Sequence, residues 1–247
     1  MANWQDPHTT GVNAATVGVP RAARDAGLRS YMLSVYNYMA SGVLLTGIVA
    51  LLFANSSLVN LLVNPQTGAP SLLFYAALFA PLGLVMWLGY GIEKMSTGTA
   101  QTVFWIYAAL IGVQFSTLFL VYTGTSIAQT FFAASVSFLA MSLFGYTTKR
   151  DLSGMGTFLL MGVVGLFVAL LINMFLHSPA MDLAISAIGV LIFAGITAYR
   201  TQQIKSGYFA VAGTTMAVKS AVIGALGLYI AFINMFLFLL RFMGNRR

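Results

Sequence analysis

The chain has 247 residues, of which 59% are hydrophobic and 7% charged, with a formal net charge of +7 and no cysteine. This is far from the roughly quarter-charged make-up of a soluble domain, so the composition points to a polytopic membrane protein with little chain left over for a soluble domain. The missing cysteines exclude disulfides, thiolate catalysis and zinc-thiolate sites. The positive balance reads as orientation and headgroup contact rather than nucleic-acid binding, because no basic run is interleaved with aromatic residues.

Residues 1–30 are polar, carry Arg21, Arg24 and Arg29, and lack the apolar core and small-residue cleavage site of a secretory signal. With Pro7, Gly11 and Pro20 they read as a partly disordered amino-terminal tail, after which a transmembrane domain over 31–247 begins. A spanning helix needs roughly 20 apolar residues. Seven such segments follow: 31–54, 71–90, 100–122, 126–146, 156–176, 180–199 and 221–243. The expected fold is therefore all-α, a bundle of seven transmembrane helices.

The connections carry the turn chemistry. Asn55, Asn60, Asn64, Pro65 and Gly68 break the chain after the first span, and the apolar residues among them suit either a short interfacial turn or a plain loop. Pro81 predicts a kink in the second span, with a freed carbonyl that a neighbouring helix must satisfy. Only Thr123, Gly124 and Thr125 separate spans three and four, which predicts that these two pack as an adjacent antiparallel pair. Asp151 or Ser153 can cap span five. Arg200 to Lys219 reads as a basic hydrophilic loop between spans six and seven.

Lysine and arginine fall on alternate sides of this arrangement. The amino tail holds Arg21, Arg24 and Arg29, and the loops on the same side hold Lys94, Lys149, Arg150, Arg200, Lys205 and Lys219; the other three loops hold none. The positive-inside rule then places the amino terminus in the cytoplasm. Arg241, Arg246 and Arg247 break the pattern, because seven spans send them to the outer side, unless the last segment is re-entrant. Glycines occur in every span but never four apart, which favours close packing inside one bundle over a glycine dimer motif.

Polar residues within spans are few. Asn234 lies deep in the last span and Asn173 in the fifth, with Gln101, Gln114 and Gln129 in the third and fourth; all are expected first as interhelical hydrogen-bonding groups, with Asn234 and Asn173 also candidates for a polar pathway. His177 and Asp182 are near neighbours around Pro179 and could form a local pair or weak cation site, but their spacing is no metal motif, so a helix N-terminal charge or a solvated loop is the stronger reading. No phosphate-binding loop, His-Glu-x-x-His, embedded serine with histidine or paired aspartates is present, so no enzymatic function and no cofactor or metal is expected.

The run GYTTKRDLSGMG at 145–156, with IGVLIFAGITAY, TQQIK and ALGLYIAFINMFLFLLRFMG further on, resembles the Bax inhibitor-1 family. The resemblance implies a multispanning helical protein of bacterial inner membranes or eukaryotic endomembranes, connected with pH-sensitive calcium leak, protection against cell death and, in some bacteria, a membrane-anchored ATP-dependent protease. In that family the sixth span usually ends Tyr-Asp-Thr-Gln and the last reads Leu-Tyr-Leu-Asp-Phe-Ile-Asn. Here Arg200 and Ala231 stand at those aspartate positions. The resemblance therefore implies an inner-membrane protein with altered calcium conduction or pH sensing, and alternatively a non-conducting protein that regulates a partner such as a membrane protease.

Overall fold

The computed structural model describes residues 21–64 and 66–246. Eight α-helices follow one another: α1 (Arg21–Ala54), α2 (Leu72–Gly91), α3 (Thr97–Phe115), α4 (Leu118–Val121), α5 (Gly124–Thr147), α6 (Met155–Leu176), α7 (Pro179–Val211) and α8 (Met216–Met243). Short α4 continues the third span, so seven segments are long and apolar enough to cross a membrane. Among the described residues there is no strand, only two isolated bridges. A 3-10 turn at Ser57–Leu61 fills part of the first loop.

The helix starts follow from capping. The hydroxyls of Ser71, Ser96, Thr123 and Ser178 accept hydrogen bonds from backbone N–H groups in the first turns of α2, α3, α5 and α7, satisfying donors that a helix start leaves orphaned. Pro179 then sits in the first turn of α7, where a missing N–H is harmless. Span five is different: neither Asp151 nor Ser153 caps α6, whose first residues have no side-chain cap. Asp151 instead accepts from the Ser153 backbone N–H at 2.9 Å and from its hydroxyl, which folds the chain into a turn ahead of the helix.

α8 is the centre. In its most apolar stretch 67% of residues are buried, against 11–39% in the other six spans, and it packs on α7, α1, α5 and α3. Lipid is as apolar as leucine, so shape rather than hydrophobicity has to select the central helix. The aromatic residues of α8 supply that shape: the Phe236 ring meets Phe115 of α3 and Phe131 of α5, while Phe232 meets Phe131 and Phe138.

Three expectations are corrected. Spans three and four do not pack together despite their short connection, because α8 lies between them and takes the contacts of both. The residues from Arg200 onward are not a loop: α7 runs unbroken to Val211, since nothing between Arg200 and Gly213 interrupts a helix, and Gly213 makes the turn with φ of 76°. α1 likewise begins at Arg21, ten residues before the apolar segment, while the rest of the expected tail lies outside the described residues. The last segment is one continuous helix of 28 residues rather than a broken, re-entrant one.

Pro81 lies within α2, and the carbonyl that its missing N–H would have served is that of Ala77. The Gln114 amide of α3 donates to that carbonyl. The neighbouring helix thus satisfies the proline's defect, as the sequence required.

Candidate functional site along the seam of α7 and α8

α7 and α8 run antiparallel and form the most extensive contact in the bundle. On α8 the residues facing α7 are spaced alternately three and four apart, which keeps them on one face. Gly224 faces Ile204, Gly227 leaves room for the Arg200 side chain 3.8 Å from where a Cβ would stand, Phe238 packs against Gly189, and Arg241 reaches Asp182. Ala231 and Asn234 occupy the two steps between. The glycines are needed at these crossings: a Cβ on Gly189 would come within 2.5 Å of the Phe238 ring.

This register places Arg200 and Ala231. Ala231 is buried at 1% exposure, one turn beyond Gly227 and therefore one turn deeper than the Arg200 side chain on the facing helix. Arg200 is exposed, and its guanidinium donates to the Gln203 side-chain carbonyl at 3.1 Å. A fixed positive charge and a methyl group, about one helical turn apart, occupy this part of the seam.

Asn234 and Asn173 lie toward the other end. Neither makes an interhelical hydrogen bond: Asn234 donates to the Ile230 carbonyl one turn back at 2.8 Å, and Asn173 accepts from the Ser178 N–H at 3.1 Å, closing the end of α6. Half-buried Asn234 lines a cavity of about 380 Å³ with Leu170, Tyr122 and Arg241. A second cavity of about 450 Å³ holds Asn173, His177, Asp182 and Arg246, and Arg241 lines both. The two asparagines thus line adjoining cavities at the carboxyl end of α8, a mainly apolar one at Asn234 and a polar cleft at Asn173, which share Arg241 and lie apart from Arg200.

The charge in that cleft is organised around Asp182. It pairs with Arg241 and lies 3.8 Å from Arg246, while the His177 ring nitrogen sits 3.1 Å from the Phe175 carbonyl rather than on the aspartate. The carboxyl tail is fastened as well: Thr123 donates its N–H to the Asn245 carbonyl, Asn245 donates to the Ser126 hydroxyl at 2.8 Å, and Arg246 stacks over the Tyr122 ring. Two of the arginines that violate the charge pattern have an acidic partner of their own.

At the opposite, more basic end, the two motifs of the family resemblance are joined. Gln202 accepts from the Leu152 N–H at 2.7 Å and donates to the Arg150 carbonyl at 2.8 Å, so it clamps the KRDL turn with both ends of its amide. Lys205 donates to the Tyr146 carbonyl at 2.7 Å, a cation placed on the last carbonyls of α5. Below them Thr201, Ser142 and Tyr36 form a hydroxyl chain of 3.1 and 2.6 Å through α7, α5 and α1. In the turn, the Ser153 hydrogen bonds hold the Asp151 carboxyl below its ordinary range. Sequence reasoning did not single out Tyr36 or Ser142, and it reached Gln202 only as one of the polar residues of the TQQIK motif, without its partners.

Comparison with known proteins gives a consistent result. The family model described as inhibitor of apoptosis-promoting Bax1 matches residues 28–247. The chain is 47% identical over 223 residues to an uncharacterised protein of Rickettsia prowazekii (strain Madrid E), covering 90% of this chain and 92% of that one. It is 46% identical over 231 residues to an uncharacterised protein of Caulobacter vibrioides, with 90% and 91% covered. It is 44% identical over 224 residues to inner membrane protein YbhL of Escherichia coli (strain K12), with 90% and 94% covered.

Proposed function

The chain belongs to the Bax inhibitor-1 family of membrane proteins, and from that premise we propose that it is an inner-membrane leak protein in which the proton-switched calcium step has been replaced by a fixed charge. The observation that carries this reading is the seam of α7 and α8, where Arg200 passes Gly227 and buried Ala231 lies one turn deeper. Two facing carboxylates would share a proton and offer hard oxygen ligands to calcium. Arginine stays protonated at any accessible pH, supplies no ligand to a cation and repels a divalent one. Ala231 offers only a methyl group. The cavity that reaches Asn234 from the carboxyl end of α8 is lined by Phe238, and Ala231 lies buried about one turn further along the helix. In this reading the lysine-rich and arginine-rich end, with the start of α1, faces the cytoplasm.

The test is calcium flux into proteoliposomes holding the purified chain. The unaltered protein should pass little calcium, with little change between about pH 6 and 8, and Arg200→Asp alone should add no switch. Arg200→Asp combined with Ala231→Asp should produce a pH-dependent flux. Strong pH-dependent leak from the unaltered chain, equal to that of the double variant, would overturn the proposal. Absence of flux in both proteins would move the assignment to a non-conducting partner of another membrane protein.

A further inference from the structure

α1 and α5 both pack on α8 but scarcely touch each other, and the space between them is an apolar groove facing the bilayer. Its first part, about 370 Å³, begins at Arg29 and Tyr146 and passes Tyr36 and Leu139. Its second, about 430 Å³, continues from those same two residues to Val43 and Phe131, with Phe232 of α8 as the floor. The residues shared by the two parts make the groove continuous. Beside Val43 and Phe131 it adjoins a small pocket of about 80 Å³.

Length and charge indicate what fits. From Arg29 to Val43 is fourteen helical steps, about 21 Å at 1.5 Å per residue, and half of a bilayer of about 40–45 Å, headgroups included, is the same length. The groove therefore spans one leaflet. At its mouth Arg29 is exposed and in no ion pair among the described residues, and the Lys205 ammonium lies 4.9 Å over the Tyr146 ring that forms the other lip. Farther in, the hydroxyls of Tyr36 and Ser142 are bonded to each other at 2.6 Å, so they demand nothing from a guest. Leu33, Leu139 and Leu143 leave apolar surface along the walls. A cationic mouth at headgroup depth above an apolar channel one leaflet long is complementary to an anionic amphiphile.

We propose that this groove binds one acyl chain of an anionic glycerophospholipid, whose phosphate is held by Arg29, the residue type suited to bidentate phosphate contact. The site is independent of the seam between α7 and α8 and of any leak through it. Native mass spectrometry of the full chain, released from detergent after mixing with phosphatidylglycerol or with phosphatidylcholine of the same acyl chains, tests it. One phosphatidylglycerol should be retained in preference to phosphatidylcholine by about fivefold, the ratio that one basic contact at a membrane surface supports. Arg29→Gln should abolish the preference. Ala40→Trp, which fills the middle of the groove from an exposed position, should remove the retained lipid, and Ser135→Leu repeats the obstruction from the α5 wall should the tryptophan variant not fold. Equal retention of the two lipids, an unchanged preference in Arg29→Gln, or undiminished retention in a folded groove-filling variant would each overturn the proposal.

Discussion

Replacing Thr46 by valine should destabilise the bundle more than removing the Tyr229 hydroxyl, although both changes break the same hydrogen bond. The Thr46 hydroxyl lies 2.6 Å from the Tyr229 phenol, 2.8 Å from the Ala108 carbonyl of α3 and 2.9 Å from the Gly42 carbonyl of its own helix. It has one proton, which goes to a carbonyl, so the phenol donates to Thr46. Tyr229 is 0% exposed and its hydroxyl has no other partner. In Tyr229→Phe the threonine keeps its carbonyl, and the loss is one membrane hydrogen bond, about 0.6 kcal/mol. In Thr46→Val the phenol is stranded in an apolar site, which costs about 1–3 kcal/mol. The double variant removes the stranded group, so Tyr229→Phe should be neutral or stabilising once Thr46 is gone. Reversible unfolding by dodecyl sulfate titration in micelles, followed by circular dichroism, measures all three. A Thr46→Val variant no more damaged than Tyr229→Phe, with additive effects in the double, would refute this assignment of donors.

Two further substitutions test how the helices are joined, read by the same titration. Gln114→Leu should cost about 0.6–1.7 kcal/mol by leaving the Ala77 carbonyl without its donor, and Pro81→Ala should recover most of that loss by restoring the backbone N–H; failure of the rescue would show that Gln114 acts elsewhere. Gly145→Ala should destabilise by about 1–3 kcal/mol or more, because its Cβ would meet the backbone oxygen of Ala198 on α7, which cannot move aside as a side chain can. Gly165→Ala, with nothing within 4 Å, should change stability by less than about 1 kcal/mol in the stabilising direction, and equal effects at the two glycines would contradict the packing.

The number and order of the spans were legible in the sequence, because transfer into lipid is a property of each segment and needs no knowledge of its neighbours. So was the carbonyl that Pro81 frees, since the cause is covalent, although not its service by Gln114. The rest depends on surfaces that meet from distant parts of the chain. A three-residue link brings the ends of spans three and four together but does not make their faces fit, and the phenylalanines of α8 take both instead. Hydropathy falls at Arg200 because the chain leaves the hydrocarbon, yet the backbone stays helical to Val211, since polarity alone breaks no helix. Asp182 finds Arg241 rather than His177 because the antiparallel register of α7 and α8 sets those two side chains at the same depth, 59 residues apart. That same register leaves Arg200 and Ala231 one turn apart on facing helices, a relation between two segments that no reading of either one contains.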